Sequence, residues 1–339
     1  MSLPDIDLPT SRILLLRQGG LGDALVAVPI VRALRQALPV AKIDILLSRR
    51  NHVIAPAYRP YVGTIWNYTK RPWQTLTLFA ALHRRHYDLA IDLIDAPSTT
   101  SRLLLRVSGA RVRLGIGRRP ESVYTDAAPS LMTPEMHIVE RLSQVLVPLG
   151  IDPATVPLEL EFPLSAADQE TARVVLGPNR GEYRIGINLS GGFAAKYWGR
   201  DNFIALVRQI RARHPEAEVL VLGALDYAEE VSAIAAAADA RAVPPVPSFG
   251  VFAALLHECD LLVTPDTSVS HLAAAWKKPA VVLFIQSASN STTLWAPFHS
   301  PHRALWHAER VAGIPVAAVA AALDELLGAY ALRKPAACH

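Results

Sequence analysis

Apolar runs of four to seven residues, too short for helices, alternate with helix-length segments along nearly the whole chain. That alternation leaves few folds open, because it marks βαβ units and so a parallel sheet covered by helices. In the first half, strands are expected at Ile13–Leu16, Ala41–Leu47 and Tyr87–Leu93, and helices over Ala24–Leu38, Trp73–Arg85 and Ser98–Val107. The second half repeats the scheme. Strands are expected at Arg184–Leu189, Glu218–Leu222, Leu261–Thr264 and Ala280–Phe284. Helices are expected over Asp201–His214, Tyr227–Ala238, Phe249–Glu258, Val269–Trp276 and Val316–Tyr330. Between the halves, Val147–Leu164 holds four prolines (Pro148, Pro153, Pro157, Pro163) and few helix signals, which marks a linker. The expected organisation is two doubly wound α/β domains, residues 1–155 and 156–339. In such sheets ligands bind outside the carboxyl ends of the strands.

Composition excludes several classes. At 339 residues, with 51% hydrophobic and 19% charged residues, the chain fills substantial cores and is not disordered as a whole. A membrane span needs about 20 nearly uninterrupted apolar residues, and the best candidate, Val311–Leu332, is broken by Pro315, Asp324 and Glu325. The N-terminus carries acids where a secretory signal carries Lys or Arg. Cys259 and Cys338 supply neither a disulfide framework nor a zinc quartet. A cytoplasmic protein is expected.

The net charge of +4 conceals an asymmetry: residues 1–150 carry a balance of +8 and residues 151–339 a balance of −4. Arg supplies 28 of the 34 basic residues. A GC-rich genome with solvated surface arginines explains this, and so does an anionic partner for the first half. No aromatic-interleaved basic run accompanies the excess, so nucleic acid is not the expected partner.

Three segments carry candidate chemistry. Arg17-Gln18-Gly19-Gly20-Leu21-Gly22-Asp23 lies between a strand and a helix, and its glycines permit a tight turn and close backbone approach to a ligand. The G-G-x-G spacing matches neither the dinucleotide fingerprint nor the P-loop. Asp23 is either a helix cap or a general base presented to a ligand. Asn188-Leu189-Ser190-Gly191-Gly192-Phe193-Ala194-Ala195-Lys196 follows another strand, and a Gly-rich loop with one lysine can wrap a phosphate. In Thr264-Pro265-Asp266-Thr267-Ser268-Val269-Ser270-His271 a strand ends and a helix begins, which is a ready anion site or an ordinary N-cap. Asp5-Ile6-Asp7 spells D-x-D in an N-terminal tail, and the pairs His83/His86 and His299/His302 lack a third ligand, so no metal site is expected.

Taken in order, R-x-G-G-L-G-D-A-L, G-x-x-A-K-Y-W and P-D-T-S-x-x-H-L-A-A resemble the ADP-heptose:lipopolysaccharide heptosyltransferases, glycosyltransferase family 9, from about Arg12 to Phe298. The resemblance implies the GT-B fold, two Rossmann-like parallel-sheet domains facing a central cleft, with the last helix able to pack back on the first. It also implies an inverting, metal-independent transferase with no cofactor, whose nucleotide sugar, ADP-heptose, is a substrate. The second domain would bind this donor and the first an anionic glycolipid or glycan acceptor, with peripheral contact at the cytoplasmic face of the inner membrane. By the same resemblance Asp23 matches the general base and Lys196 the lysine on the diphosphate. Gly19, Gly20 and Gly22 shape the acceptor-side loop. Ser190, Gly191, Asp266, Thr267, Ser268 and His271 fall in the donor-binding segments. The acid that holds the ribose is open among Asp226, Glu229 and Glu230. Ser268 stands where the family usually has glycine. That departure supports one alternative, a non-catalytic nucleotide-sugar-binding module; a GT-B-type nucleotide-sugar epimerase is a second.

Overall fold

A computed structural model describes residues 6–96, 98–117, 123–129, 133, 136–286 and 294–331. Asp5, Ser287, Leu332 and Cys338 lie outside the described residues. The chain divides into two compact units, residues 1–161 and 162–339, and the division falls inside the proline-bearing stretch.

The first unit contains strands β1 (Arg12–Arg17), β2 (Lys42–Ser48), β3 (Thr64–Tyr68), β4 (Leu89–Asp92), β5 (Val112–Ile116) and β6 (Asp126–Ala128). They form one sheet in the order β3-β2-β1-β4-β5-β6, and every pairing is parallel. The second unit contains β7 (Tyr183–Asn188), β8 (Ala217–Leu222), β9 (Arg241–Ala242), β10 (Leu261–Pro265), β11 (Ala280–Ile285) and β12 (His302–His307). Their order is β12-β11-β10-β7-β8-β9, again all parallel. The central strands read as continuous apolar runs because helices cover both faces of a parallel sheet. Ile13 to Leu16, Ile185, Ile187 and Leu261 to Val263 are all buried.

Each sheet begins in its middle. From β1 the chain moves outward through β2 and β3, then returns to lay β4 on the other side of β1. From β7 it moves through β8 and β9, then returns to lay β10 beside β7. One device fixes the entry edge of both central pairs. The Arg12 amide donates to Asp88 Oδ2 at 2.9 Å, and the Arg184 amide donates to Asp260 Oδ2 at 2.8 Å.

Several elements differ from the sequence reading. The helix expected over Ala24–Leu38 is two helices, Leu21–Leu25 and Val28–Ala37. Pro29, at the start of the second, has no N–H to give to the preceding turn, and at the end of the first helix the Ala24 carbonyl accepts both the Ala27 amide and the Tyr58 hydroxyl. Strands β3, β5, β6, β9 and β12 were not expected. β3 and β12 are half-exposed sheet edges (TIWNY and HRALWH) without a clean apolar pattern, and β9 is two residues long. The helix Ile138–Ser143 and the helix Ala166–Leu176 were also missed. The closing helix Val316–Ala331 packs on the helix Arg200–Arg213 and on β11 and β12, burying Val319, Ala320, Leu323, Leu326 and Leu327 in the core of the second unit.

Near the start of β8, Glu218 is buried between two guanidinium groups, Arg184 at 2.8 Å and Arg241 at 2.7 Å, with Glu258 3.6 Å from Arg184. Burial pushes the Glu218 carboxyl up, but the hydrogen bonds from Arg184 and Arg241 outweigh it, and the group lies below its ordinary range. Removing one member of a buried pair strands the other charge. Glu218→Gln is therefore expected to lose about 3 kcal/mol of stability in urea unfolding. Because the folded value is depressed, the stabilisation is complete above pH ~4.3 and fades as pH falls through the folded value. The gap between wild type and variant should shrink in acid; a constant gap would contradict this account.

Candidate active site

Both constellations stand where the strand order reverses. In such sheets the loops leaving the two central strands run apart and leave a crevice at their carboxyl ends.

In the first unit, β1 ends at Arg17, whose side chain is buried although charged. Its Nη2 lies 3.1 Å from Asp23 Oδ1, its Nε donates to the Asp23 carbonyl at 2.5 Å, and its Nη1 donates to the Leu93 carbonyl just beyond β4. The second carboxylate oxygen, Asp23 Oδ2, accepts the Gly20 amide at 2.7 Å. Asp23 therefore does close the first turn of Leu21–Leu25, and Gly20 is the N-cap. It is also 34% exposed at its side chain, so the capping carboxylate still meets solvent. Gly19 explains how: its φ is +121°, and a Cβ there would stand 2.7 Å from Oδ2. Glycine at this position leaves the carboxylate uncovered. The loop is braced by the Asn51 amide to the Arg17 carbonyl at 3.1 Å and the Ser48 hydroxyl to the Gly19 carbonyl at 3.3 Å. Gly22 lies within the helical turn itself.

In the second unit, the loops after β7 and β10 meet through Lys196. Its Nζ donates to Asp266 Oδ2 at 2.7 Å and to the Asp266 carbonyl at 2.8 Å, and it stands 5.2 Å from the centre of the Phe193 ring. Gly191 must be glycine, because a Cβ there would stand 2.6 Å from the Lys196 carbonyl oxygen. Trp198, fully buried, anchors the far end of the loop by its Nε1 to the Ile314 carbonyl at 2.9 Å. Asn188 Nδ2 donates to Thr264 Oγ1 at 2.9 Å and so ties the ends of β7 and β10. Thr267 caps the helix Ser268–Ala275, its Oγ1 accepting from the Val269 amide at 3.3 Å, and Ser268 is the first residue of that helix. His271 lies one turn in and is buried, with its ring centre 6.0 Å from that of Trp295.

The loop after β8 joins this group. Ser190 Oγ accepts the Ala224 amide at 2.8 Å, and the Tyr227 hydroxyl accepts the Gly191 amide at 3.2 Å. Of the three acids considered for this loop, Glu230 is engaged: Arg200 pairs with it at 2.5 Å and the Tyr197 hydroxyl donates to it at 2.9 Å. Those Arg200 hydrogen bonds hold its carboxyl below the usual range. Asp226 and Glu229 are exposed. Thus Ser190, Gly191, Lys196, Asp266, Thr267 and Ser268 gather at the carboxyl ends of the central strands β7 and β10, and His271 is buried behind them.

Sequence reasoning quoted Arg17, Asn188 and Thr264 within the candidate segments but gave them no role, and it passed over Tyr227. A polar residue ending an otherwise apolar strand, as in RILLLR, RIGIN and LLVTP, was the available signal. Cys259 is buried and burial pushes its thiol up to about 12, which removes it as a nucleophile. Among the described residues no group of three His, Cys, Asp or Glu could hold a metal ion, and no helix is long and apolar enough to cross a membrane.

Two parallel sheets with polar loops at their reversal points are those of the GT-B transferases, and solved structures share the whole fold. A family 9 glycosyl transferase from Veillonella parvula superposes with a TM-score of 0.80 at 17% identity, over 96% of this chain and 99% of that one. Escherichia coli ADP-heptose lipopolysaccharide heptosyltransferase II gives 0.73 at 20% identity, over 94% and 99%. The model of glycosyltransferase family 9 (heptosyltransferase) matches residues 75–310, and the chain belongs to that family of glycosyltransferases. A curated relative, lipopolysaccharide heptosyltransferase 3 of Escherichia coli, is 23% identical over 90% of this chain and 96% of its own length.

Gly19→Ala tests whether the open side of Asp23 is built into the loop. At this positive φ, and with its methyl against Oδ2, it is expected to cost about 1–3 kcal/mol in chemical denaturation. Gly150→Ala is the comparison: φ there is 75° but nothing lies within 4 Å of the added Cβ. Equal losses in the two variants would show that the carboxylate contact adds nothing to backbone strain.

Proposed function

We propose that the protein moves a heptosyl residue from ADP-heptose to a lipopolysaccharide core or similar glycan, with inversion and without a metal ion. The observation that carries this is Lys196 beside the capped helix Ser268–Ala275, where the strand order of the second sheet reverses. The relatives supply the ligand class: an Escherichia coli heptosyltransferase that shares the fold was solved with ADP and with an ADP-2-deoxy-2-fluoro heptose. An ammonium and a helix N-terminus are the groups that meet a diphosphate when no metal ion does. Ser190, Gly191, Thr267 and Ser268 would line the diphosphate, with His271 supporting the helix from within. Glu230 is already committed to Arg200, so the ribose falls to Asp226 or Glu229.

The chemistry divides between the units. The acceptor hydroxyl oxygen forms a bond to the anomeric carbon, and its proton passes to the Asp23 carboxylate. The bond from the anomeric carbon to the diphosphate breaks, its electron pair leaves with ADP, and Lys196 and the helix amides meet the new charge. Gly19, Gly20 and Gly22 let the acceptor come close to the carboxylate.

The acceptor is anionic, which suits the +8 balance of residues 1–150. A peripheral membrane contact suits the helix Pro72–Arg84, where Trp73 is 80% and Leu76 58% exposed beside Lys70 and Arg71.

Two outcomes test the reaction. Turnover of ADP-heptose with core oligosaccharide, followed by ADP release, is expected to survive EDTA; loss in EDTA with recovery on adding Mg²⁺ would contradict the metal-free scheme. Asp23→Asn is expected to fold and bind ADP but to lose at least ~10²-fold in kcat, the lower value of general-base assistance. Near-normal turnover would leave Asp23 as a helix cap, a task asparagine performs about as well.

A further inference from the structure

We propose that Arg17 is the positioning residue of the proton-accepting carboxylate, holding Asp23 Oδ1 so that Oδ2 alone faces the acceptor. The inference rests on Asp23 being the general base.

Burying a guanidinium is costly, and the cost is recovered only where every N–H finds an acceptor and a counter-charge lies close. Arg17 is 1% exposed. Two of its three contacts go to one residue, Asp23 Oδ1 at 3.1 Å and the Asp23 carbonyl at 2.5 Å, and the third goes to Leu93. A side chain needed only to join the loops after β1 and β4 would use the Leu93 contact and could leave Asp23 alone. Gripping both the carbonyl and the carboxylate of one residue instead fixes that residue's rotamer, since backbone and side chain are pinned to a single planar group. Among the described residues, Asp23 is the carboxylate that pairs with Arg17.

The other oxygen is in a different position. Oδ2 accepts the Gly20 amide at 2.7 Å and lies against Gly19, where no side chain covers it. A carboxylate oxygen has two lone pairs, so Oδ2 retains one after the Gly20 bond. Arg17 is thus to the base what a third, orienting group is to a paired nucleophile and base: it touches no substrate and fixes the group that does. Lysine would keep the charge but not the fork.

The test compares wild type with Arg17→Lys, Asp23→Asn and the double variant. The readouts are melting temperature, calorimetric ADP affinity, kcat and acceptor KM, with ADP-heptose and core oligosaccharide as substrates. Arg17→Lys is expected to fold, to bind ADP as wild type does, and to lose about 10- to 10²-fold in kcat, the scale of a misplaced catalytic group. The double variant is expected to be no slower than Asp23→Asn alone, because without the base nothing remains to be positioned. A purely structural role gives losses that multiply. Arg17→Lys within twofold of wild type, or multiplying losses, overturns the proposal while Asp23→Asn remains impaired. Near-normal turnover in Asp23→Asn, or a wild type inactive on this substrate pair, overturns the proposed reaction and this inference with it. If Arg17→Lys does not fold, Arg17→Gln, which keeps an N–H for Leu93, takes its place with the same expectation. Failure of both to fold makes Arg17 a residue of the fold alone and overturns the proposal.

Discussion

The reversal of strand order beside the first strand of each sheet is the constraint on which the candidate site depends. Because the chain leaves β1 toward β2 and β4 toward β5, on opposite sides, and leaves β7 and β10 in the same diverging way, no short connection covers their carboxyl ends. Polar backbone left there must be satisfied by side chains. Arg17 reaches across one gap to Leu93, and Asn188 reaches across the other to Thr264. Those braces hold the loops that carry Asp23, Lys196 and Asp266. The same topology that makes a stable parallel sheet therefore leaves two rigid-edged openings, and the candidate residues lie at both.

The two ion pairs at these openings are built differently. Arg17 is buried and its partner Asp23 reaches solvent, so the pair presents a carboxylate at the opening. Lys196 and Asp266 are both partly covered, and the ammonium is held by a carboxylate and a carbonyl of one residue at the head of a helix. On the proposed reading, a diphosphate arriving there would exchange against Asp266 for a cation already in place and would gain from the helix amides as well. Placement before binding limits the ordering cost that a flexible lysine would otherwise impose.

How far the sequence disclosed this depends on which physical signal each part carries. Central strands were legible because burial on both faces makes them short apolar runs, and Ile13–Leu16 and Leu261–Thr264 lie inside observed strands. Edge strands β3 and β12 were not, since exposed edges carry mixed residues such as Trp66, Asn67, His302 and Arg303. The Gly-rich turn and the start of the helix at Ser268 could be placed from glycine and N-cap chemistry. The break at Pro29 could have been placed on the same grounds and was not. Candidates announced by a motif, such as Asp23 and Lys196, lie at the carboxyl ends of the first strands of the two sheets, where the motif reading put them after a strand. The contacts of Arg17 to Leu93 and of Asn188 to Thr264 were missed, because they come from strand order, which a one-dimensional pattern does not contain. The pairing of Glu230 with Arg200 is likewise absent from a one-dimensional pattern, because it joins residues 30 apart.

The central claim is that the second unit holds the donor through Lys196 at the head of Ser268–Ala275. Calorimetric titration of ADP into wild type and into the double variant Lys196→Met/Asp266→Asn tests it most directly. Removing both charges leaves no lone carboxylate to repel the ligand, so a loss of affinity reports the ammonium itself. The account predicts ADP binding weakened at least ~10-fold, about 1.4 kcal/mol, in a variant that still folds. Unchanged affinity for ADP in that variant would contradict it.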